Sequence, residues 1–291
     1  MKLKRIELIK HGKVRDIYRM DEDRLLIVAT DRISAFDHVL KQPVPDKGRL
    51  LNLLSLFWFN FVKDSVHTHI ISSDLDLIKD LTNEEEKEYL RDRFIIVKKV
   101  DILPFEFIVR GYLTGSYYKM YRDDYDNLPV SLPKGLGKNS QLPEIILTPT
   151  TKSTEKDEPV TPREVMRSIG EDNYRYISDI SCRLFLQAKH YLENKGFILV
   201  DTKFEFGIRD DEIYLADEIF TPDSSRYWKK EDYESGKEPD SYDKQVVRDY
   251  LESTGWDKKS APPDLPDGII EKAFNRYRTI YEIITEKKFG E

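Results

Sequence analysis

The sequence predicts an α+β fold in two parts, an N-terminal sheet-rich part over residues 1–103 and a larger mixed part over 104–291. Three observations predict it. Runs of β-branched residues and leucine, separated by short turns, fill the first third of the chain. Apolar residues at helical spacing dominate much of the rest. Two further strand-like runs, 197–208 and 212–219, interrupt that helical part. A chain of 291 residues allows one large domain or two modest ones, at roughly 100–200 residues each. It is long enough to bury a real core without a disulfide or metal staple.

The elements follow in order. Strands at 5–10 and 14–20 flank the turn His11-Gly12-Lys13, and 24–29 (RLLIVA) reads as a buried strand. The apolar stretch 50–62 reads as a buried helix, and charged helical residues gather near 83–91. Strands follow at 94–100 and 105–110, parted by Pro104. From 123 to 159 Pro, Gly, Ser, Thr and Lys dominate, which predicts a long connection of the kind that forms lids and binding loops. Thr161-Pro162-Arg163-Glu164 matches a capping box with proline at the first helical position. Ile177, Ile180, Leu184, Ala188, Tyr191 and Leu192 share one side of a helix at 174–195, closed by Gly196. Polar, proline-interrupted loops are expected at 233–243 and 260–267. Asp267 is placed to cap a final helix that carries Ile270, Phe274, Tyr277, Tyr281 and Ile284 on one face.

Composition excludes several classes of function. Charged residues make up 35% and hydrophobic residues 39%, yet aromatics at 12% argue against wholesale disorder. The net charge of −7 gives no global signal for nucleic acid or an anionic membrane. The single cysteine, Cys182, rules out an internal disulfide framework and a Cys-rich zinc site, and points to a reducing compartment. Met1-Lys2-Leu3-Lys4-Arg5 has no apolar signal core behind it. The stretch 50–62 falls short of the roughly 20 apolar residues a membrane helix needs. A cytoplasmic enzyme or binding protein is the expectation. The pair His67-x-His69 is expected at the surface.

The most informative segment is Phe197-Ile198-Leu199-Val200-Asp201-Thr202-Lys203-Phe204-Glu205-Phe206-Gly207. In a strand, alternate residues share a face. Asp201, Lys203 and Glu205 then line one face, and Thr202, Phe204 and Phe206 the other. A hairpin turning around Asp211 would set Asp217 opposite Glu205. Two carboxylates directly across a strand pair repel, and a divalent cation between them would remove that penalty. A solvated hairpin is the alternative reading of the same residues. Two other clusters stand out: Gly12-Lys13 with Arg15, suited to phosphates, and Glu106 with Arg110 and the turn Thr114-Gly115-Ser116, suited to an anion at a helix start.

In combination these motifs resemble the SAICAR synthase family (phosphoribosylaminoimidazole-succinocarboxamide synthases). One family signature, aliphatic-aliphatic-Asp-x-Lys-aromatic-Glu-Phe-Gly, reads here Leu199 to Gly207. The other, Pro-x-Glu-x-x-aliphatic-Arg-x-x-x-Thr/Ala-Gly-Ser, reads Pro104, Glu106, Val109, Arg110 and Thr114-Gly115-Ser116. Gly12 to Asp16, Asp31 to Asp37, Pro45 to Gly48 and Asp217-Glu218 through Arg226 match in the same order. The resemblance covers about residues 8–285, in the family's longer form.

The resemblance implies a two-part fold whose N-terminal antiparallel sheet is similar to a protein-kinase nucleotide lobe, with ATP between the parts. It implies an ATP-dependent ligase of purine biosynthesis that joins L-aspartate to a carboxylated aminoimidazole ribonucleotide (CAIR), with ADP and phosphate released. Small molecules are then the only partners implied; no nucleic acid, membrane or obligate protein partner is expected. Mg²⁺ would sit on Glu205 and Asp217. Lys13 and Arg15 would hold the ATP phosphates, and Lys98 and Val100 the adenine. Arg110, Ser116 and Arg226 would grip the ribonucleotide phosphate, while Lys203 and Asp201 orient its base and carboxylate. Asp37 and Lys152 would stand near the substrates, and the Thr/Lys-rich loop after Thr148 would act as a lid. The competing reading is a kinase-like phosphotransferase acting on a small phosphorylated substrate. It lacks support, because no His-Arg-Asp or Asp-Phe-Gly motif is present. A nucleotide-binding protein without catalysis would be expected to have lost some of these charged residues.

Overall fold

Hydrogen bonding divides most strands between two antiparallel sheets. The computed structural model describes residues 2–152 and 157–290. The first sheet comes from β1 (Glu7–His11), β2 (Arg15–Arg19) and β3 (Arg24–Ala29). A small hairpin follows, β4 (Ser34–Ala35) and β5 (His38–Val39), then helix α1 (Lys47–Val62), β6 (Ile70–Ser72), helix α2 (Glu84–Leu90) and β7 (Phe94–Lys98). Strands β1, β2, β3, β7 and β6 lie in that order. Leu26, Val28, Phe94 and Ile96 bury one face of the sheet with Leu3, Ile78 and Leu90.

Helix α1 begins at Lys47, three residues ahead of the apolar run that predicts it. Its first turn is jammed against the end of β3. A Cβ on Gly48 would stand 2.5 Å from the Ala29 carbonyl oxygen, so only glycine fits. Leu50, Leu54 and Trp58 of α1 face away from this sheet, into the core of the second.

The second sheet contains β8 (Asp101–Ile102), β9 (Phe105–Tyr112), β10 (Gln141–Thr151), β11 (Phe197–Arg209), β12 (Glu212–Ala216) and β13 (Ser225–Lys229). Strand β11 is its axis. Its first half pairs with β9 and β13, and its second half with β12 and β8. Thr202, Phe204 and Phe206 are fully buried, as the alternation predicts. Phe204 and Phe206 share one core with residues of α5 (Glu171–Glu193) and α8 (Asp267–Thr285). Helix α3 (Gly115–Asp123) follows β9. Helix α4 (Pro162–Ile169) precedes α5, and α6 (Lys230–Glu234) and α7 (Gln245–Ser253) follow β13. Among the described residues, no helix is long and apolar enough to cross a membrane.

Several local expectations hold. The Thr161–Glu164 capping box forms in both directions. Gly196 is left-handed, with φ 76°, just beyond α5. Others are corrected. Residues 141–151 form a strand, where the polar composition predicts a connection. Among the named strands β10 pairs with β9 alone, with a short bridge from Thr150 to Pro159 on its other side, and such an edge tolerates its two prolines. Residues 153–156 of the expected lid lie outside the described residues. Pro266, rather than Asp267, occupies the cap of α8, with no side-chain cap bond. Strand β12 stops at Ala216, so Ala216 and not Asp217 stands opposite Glu205. Asp217 instead turns off the sheet in the left-handed region, with φ 62°.

Candidate active site

The polar face of β11 carries the centre of the site. Pairing with β9 and β13 sets Asp201 opposite both Arg110 and Arg226. Arg226 Nη1 donates to Asp201 Oδ2 at 2.7 Å, and Arg110 Nη1 lies 3.3 Å from the same oxygen. Arg110 also donates to Thr148 Oγ1 at 2.8 Å and stacks over the Tyr117 ring. Burial pulls the Arg110 guanidinium down, and the Asp201 charge only partly offsets this. For Arg226 the charges of Asp201 and Asp243 outweigh burial, and its pKa rises. The Arg226 guanidinium lies over Gly115 at the start of α3.

Two and four residues further along the same face stand Lys203 and Glu205. Lys203 Nζ bonds Glu106 at 2.6 Å and Glu205 at 2.9 Å. Glu205, 3% exposed, also accepts from Lys152 at the end of β10. Arg15, at the start of β2, bonds both Asp217 and Glu218. Four carboxylates therefore share three cations contributed by both sheets. Burial alone would raise the Asp217 carboxyl, but Arg15, Lys203 and Lys152 hold it well below the usual carboxylate range. Burial would lower the Lys203 ammonium, and Glu205 and Glu106 hold it above its ordinary value. Glu106 itself is pushed up by burial, against the pull of Lys203.

The structure thus brings Lys203, Glu205, Asp217, Arg15 and Lys152 into one cluster. Glu205 and Asp217 do not stand directly opposite across the hairpin, and the cations Lys152, Lys203 and Arg15 offset their charges. Among the described residues no group of three or more His, Cys, Asp or Glu side chains is arranged around a vacant metal position. The donor set nevertheless suits magnesium. It consists of carboxylate oxygens, Asp217 is held ionised, and one or two carboxylates with substrate phosphates are a usual Mg²⁺ shell.

Asp37, Ser116 and Arg226 line a cleft of about 1030 Å³, together with Lys244, Arg248 and Lys258. Lys13 is apart from Arg15: its ammonium bonds Asp37 at 2.6 Å. Lys98 lies beyond the cluster, 4.7 Å above the Tyr214 ring, and Val100 packs against the bare backbone of Gly207.

Sequence reasoning missed the cleft's further cations. Lys244, at the N-cap of α7, and Arg248, one turn on, belong to no motif that singles them out. In the fold Lys244 lies 4.0 Å from Asp223, which also bonds the fully buried Lys47 at 2.7 Å. It also missed His69. His67 is exposed as expected, but His69 is only 2% exposed, and burial pulls it down to about 4. The alternating run around 67–72 gave no sign of which histidine faces inward.

Comparison with known proteins places this arrangement in context. The sequence model of the SAICAR synthetase family matches residues 8–263. A phosphoribosylaminoimidazole-succinocarboxamide synthase of Thermodesulfovibrio yellowstonii is 45% identical over 284 residues, covering 97% of each chain. The synthase of Syntrophobacter fumaroxidans is 44% identical, over 94% of this chain and 90% of its own. Among solved structures, the SAICAR synthase of Saccharomyces cerevisiae complexed with SAICAR has a TM-score of 0.89 at 39% identity, covering 98% of this chain and 97% of its own. A SAICAR synthetase in complex with ADP has a TM-score of 0.72 at 28% identity, covering 96% and 98%.

Proposed function

The chain belongs to the SAICAR synthetase family, and we propose that the cation–carboxylate cluster and the adjoining cleft divide between them the reaction of that family. The reaction is the ATP-dependent joining of L-aspartate to carboxyaminoimidazole ribonucleotide. A carboxylate does not react with an amine near neutral pH, because oxide would have to leave. In our reading, a carboxylate oxygen of the ribonucleotide attacks the γ-phosphorus of ATP, and ADP departs. The acyl phosphate so formed has phosphate as its leaving group. The aspartate amine attacks the acyl carbon, loses a proton, and phosphate departs. The protein positions the three substrates and neutralises charge, with no covalent intermediate on a side chain.

One observation carries this reading: Lys203 and Glu205 of β11 meet Arg15 and Asp217 where the two sheets approach, beside a cleft lined by Arg226 and Ser116. Residues 1–103 serve as the nucleotide lobe, although α1 packs into the other core. The main chain from Lys98 to Val100 takes the adenine, with the 42% exposed side chain of Ile102 packing on it. Lys13 and Arg15 exchange their present carboxylate partners for ATP phosphates. Glu205 and Asp217 hold Mg²⁺, which when bound supplies further neutralisation of the triphosphate. Arg226, Ser116 and Arg110 grip the ribonucleotide phosphate, Asp201 holding both guanidinium groups in place. Lys203 faces the reacting carboxylate. Asp37 and Lys152 border the substrates.

The test is to incubate the protein with ATP, Mg²⁺, aspartate and the carboxylated ribonucleotide. Equal amounts of ADP and succinocarboxamide, formed only when both co-substrates are present, are expected. ADP release with products indifferent to aspartate would refute the ligase reading and favour a phosphotransferase.

A further inference from the structure

The turn 12–14 joins β1 to β2, and its three carbonyl groups are all claimed by the stretch that follows β3. Thr30 donates to the Val14 carbonyl twice, from its N–H at 2.9 Å and from Oγ1 at 2.8 Å. Arg32 takes the other two. Its Nη2 donates to the Gly12 carbonyl at 2.8 Å, and its Nε to the Lys13 carbonyl at 3.2 Å. The same guanidinium forks onto Asp16, with Nη2 2.7 Å from Oδ1 and Nη1 3.4 Å from Oδ2. Asp16 is 5% exposed and stands in β2, so the guanidinium is anchored to the sheet. One side chain thereby ties two carbonyls to a buried carboxylate. The planar, five-donor fork of arginine meets that demand, and a single ammonium does not.

Fixing the carbonyls also fixes the amides. No peptide bond among the described residues is cis, and in a trans peptide the N–H points opposite to the C=O before it. With the Gly12 and Lys13 carbonyls held on Arg32, the N–H groups of Lys13 and Val14 are turned away from it. Among the described residues, neither of them donates to a main-chain carbonyl. Successive open N–H groups beside a lysine suit an anion. If either peptide rotated, it would present a carbonyl oxygen there and repel the same anion. We propose that Arg32 is a positioning residue of the nucleotide site: by holding the Gly12 and Lys13 carbonyls, it keeps the Lys13 and Val14 N–H groups presented to the phosphates of ATP. The proposal rests on the assignment of this turn to the triphosphate.

Two substitutions at residue 32 test it, with Lys13→Met as reference. Lysine keeps the positive charge but cannot hold both carbonyls and Asp16 at once, and methionine removes every donor. The readouts are calorimetric dissociation constants for Mg²⁺–ATP, measured without the other substrates, and for adenosine, which lacks the phosphates. Arg32→Lys and Arg32→Met are each expected to weaken Mg²⁺–ATP binding about tenfold, the scale of losing one hydrogen bond to a charged group. Adenosine affinity stays within about twofold. If Arg32→Met does not fold, the lysine variant decides. Full Mg²⁺–ATP affinity in Arg32→Lys would show that charge alone suffices, and it overturns the proposal. A parallel fall in adenosine affinity, the mark of a generally loosened lobe, overturns it too. If Lys13→Met and both residue-32 variants leave Mg²⁺–ATP binding unchanged, the assignment of the turn itself fails, and the proposal with it. If Lys13→Met weakens binding but the residue-32 variants do not, the assignment stands and only the role of Arg32 fails.

Discussion

Gly115→Ala isolates the contribution of Arg226. Gly115 sits at φ 60°, and a Cβ there would lie 2.6 Å from both terminal nitrogens of Arg226 and 2.9 Å from its Cζ. Two penalties follow. The left-handed backbone costs about 1–2 kcal/mol for an L-residue. The guanidinium must also move, and its position is set by the 2.7 Å bond to Asp201. Losing a charge-assisted hydrogen bond costs about 1.5–3 kcal/mol. If Arg226 grips the ribonucleotide phosphate, a similar loss appears in binding, equal to an increase of about 10- to 100-fold in the ribonucleotide KM. The backbone penalty appears as a fall in Tm of about 2–4 °C. Steady-state kinetics with each substrate varied in turn, beside thermal unfolding, measure both. The KM for Mg²⁺–ATP should stay within about twofold, because Arg226 lies outside the Arg15–Lys203 cluster. A folded variant with an unchanged ribonucleotide KM would refute the reasoning. So would equal rises for both substrates, which would indicate general loosening of the site.

Two further outcomes are expected. Glu205→Gln should raise the Mg²⁺ concentration for half-maximal rate by about tenfold or more, with a much smaller effect on unfolding; full turnover at low Mg²⁺ would remove Glu205 from the metal site. Asp223→Asn should lower stability near pH 7 by about 3–5 kcal/mol, because it leaves Lys47 buried without its partner. Burial alone would raise the Asp223 carboxyl, but Lys244 and Lys47 hold it well below the usual range. A depressed folded pKa contributes fully above the unfolded value, about 4, and is lost as pH falls toward the folded one. The urea-denaturation gap between parent and variant should therefore be constant from pH 7 to 5 and shrink below pH 4. A gap that persists undiminished to pH 2.5 would contradict this assignment.

Most secondary structure was legible where the signal is local. The run 24–29 became a strand, the Thr161–Glu164 box capped a helix, and Phe204 and Phe206 went into the core. β10 was not legible. An edge strand needs only one bonded side, so prolines and polar residues that would break a central strand persist there. The site was legible as a set of residues, not as a set of contacts. Glu205 and Asp217 were both singled out, yet their expected opposition was displaced by one residue, because β12 ends at Ala216.

The sequence alone determined that Asp201, Lys203 and Glu205 share a face, since the two-residue period of a strand is a property of the backbone itself. It also determined, through two ordered motifs, the family to which those residues belong. Tertiary structure decided which charges meet. Lys152 reaches Glu205 from just past the end of β10, Arg15 reaches Asp217 from the other sheet, and His69 is enclosed while His67 stays exposed. The physical reason is distance along the chain. Each of these pairings depends on strand register and sheet packing, set jointly by residues that local pattern treats as independent.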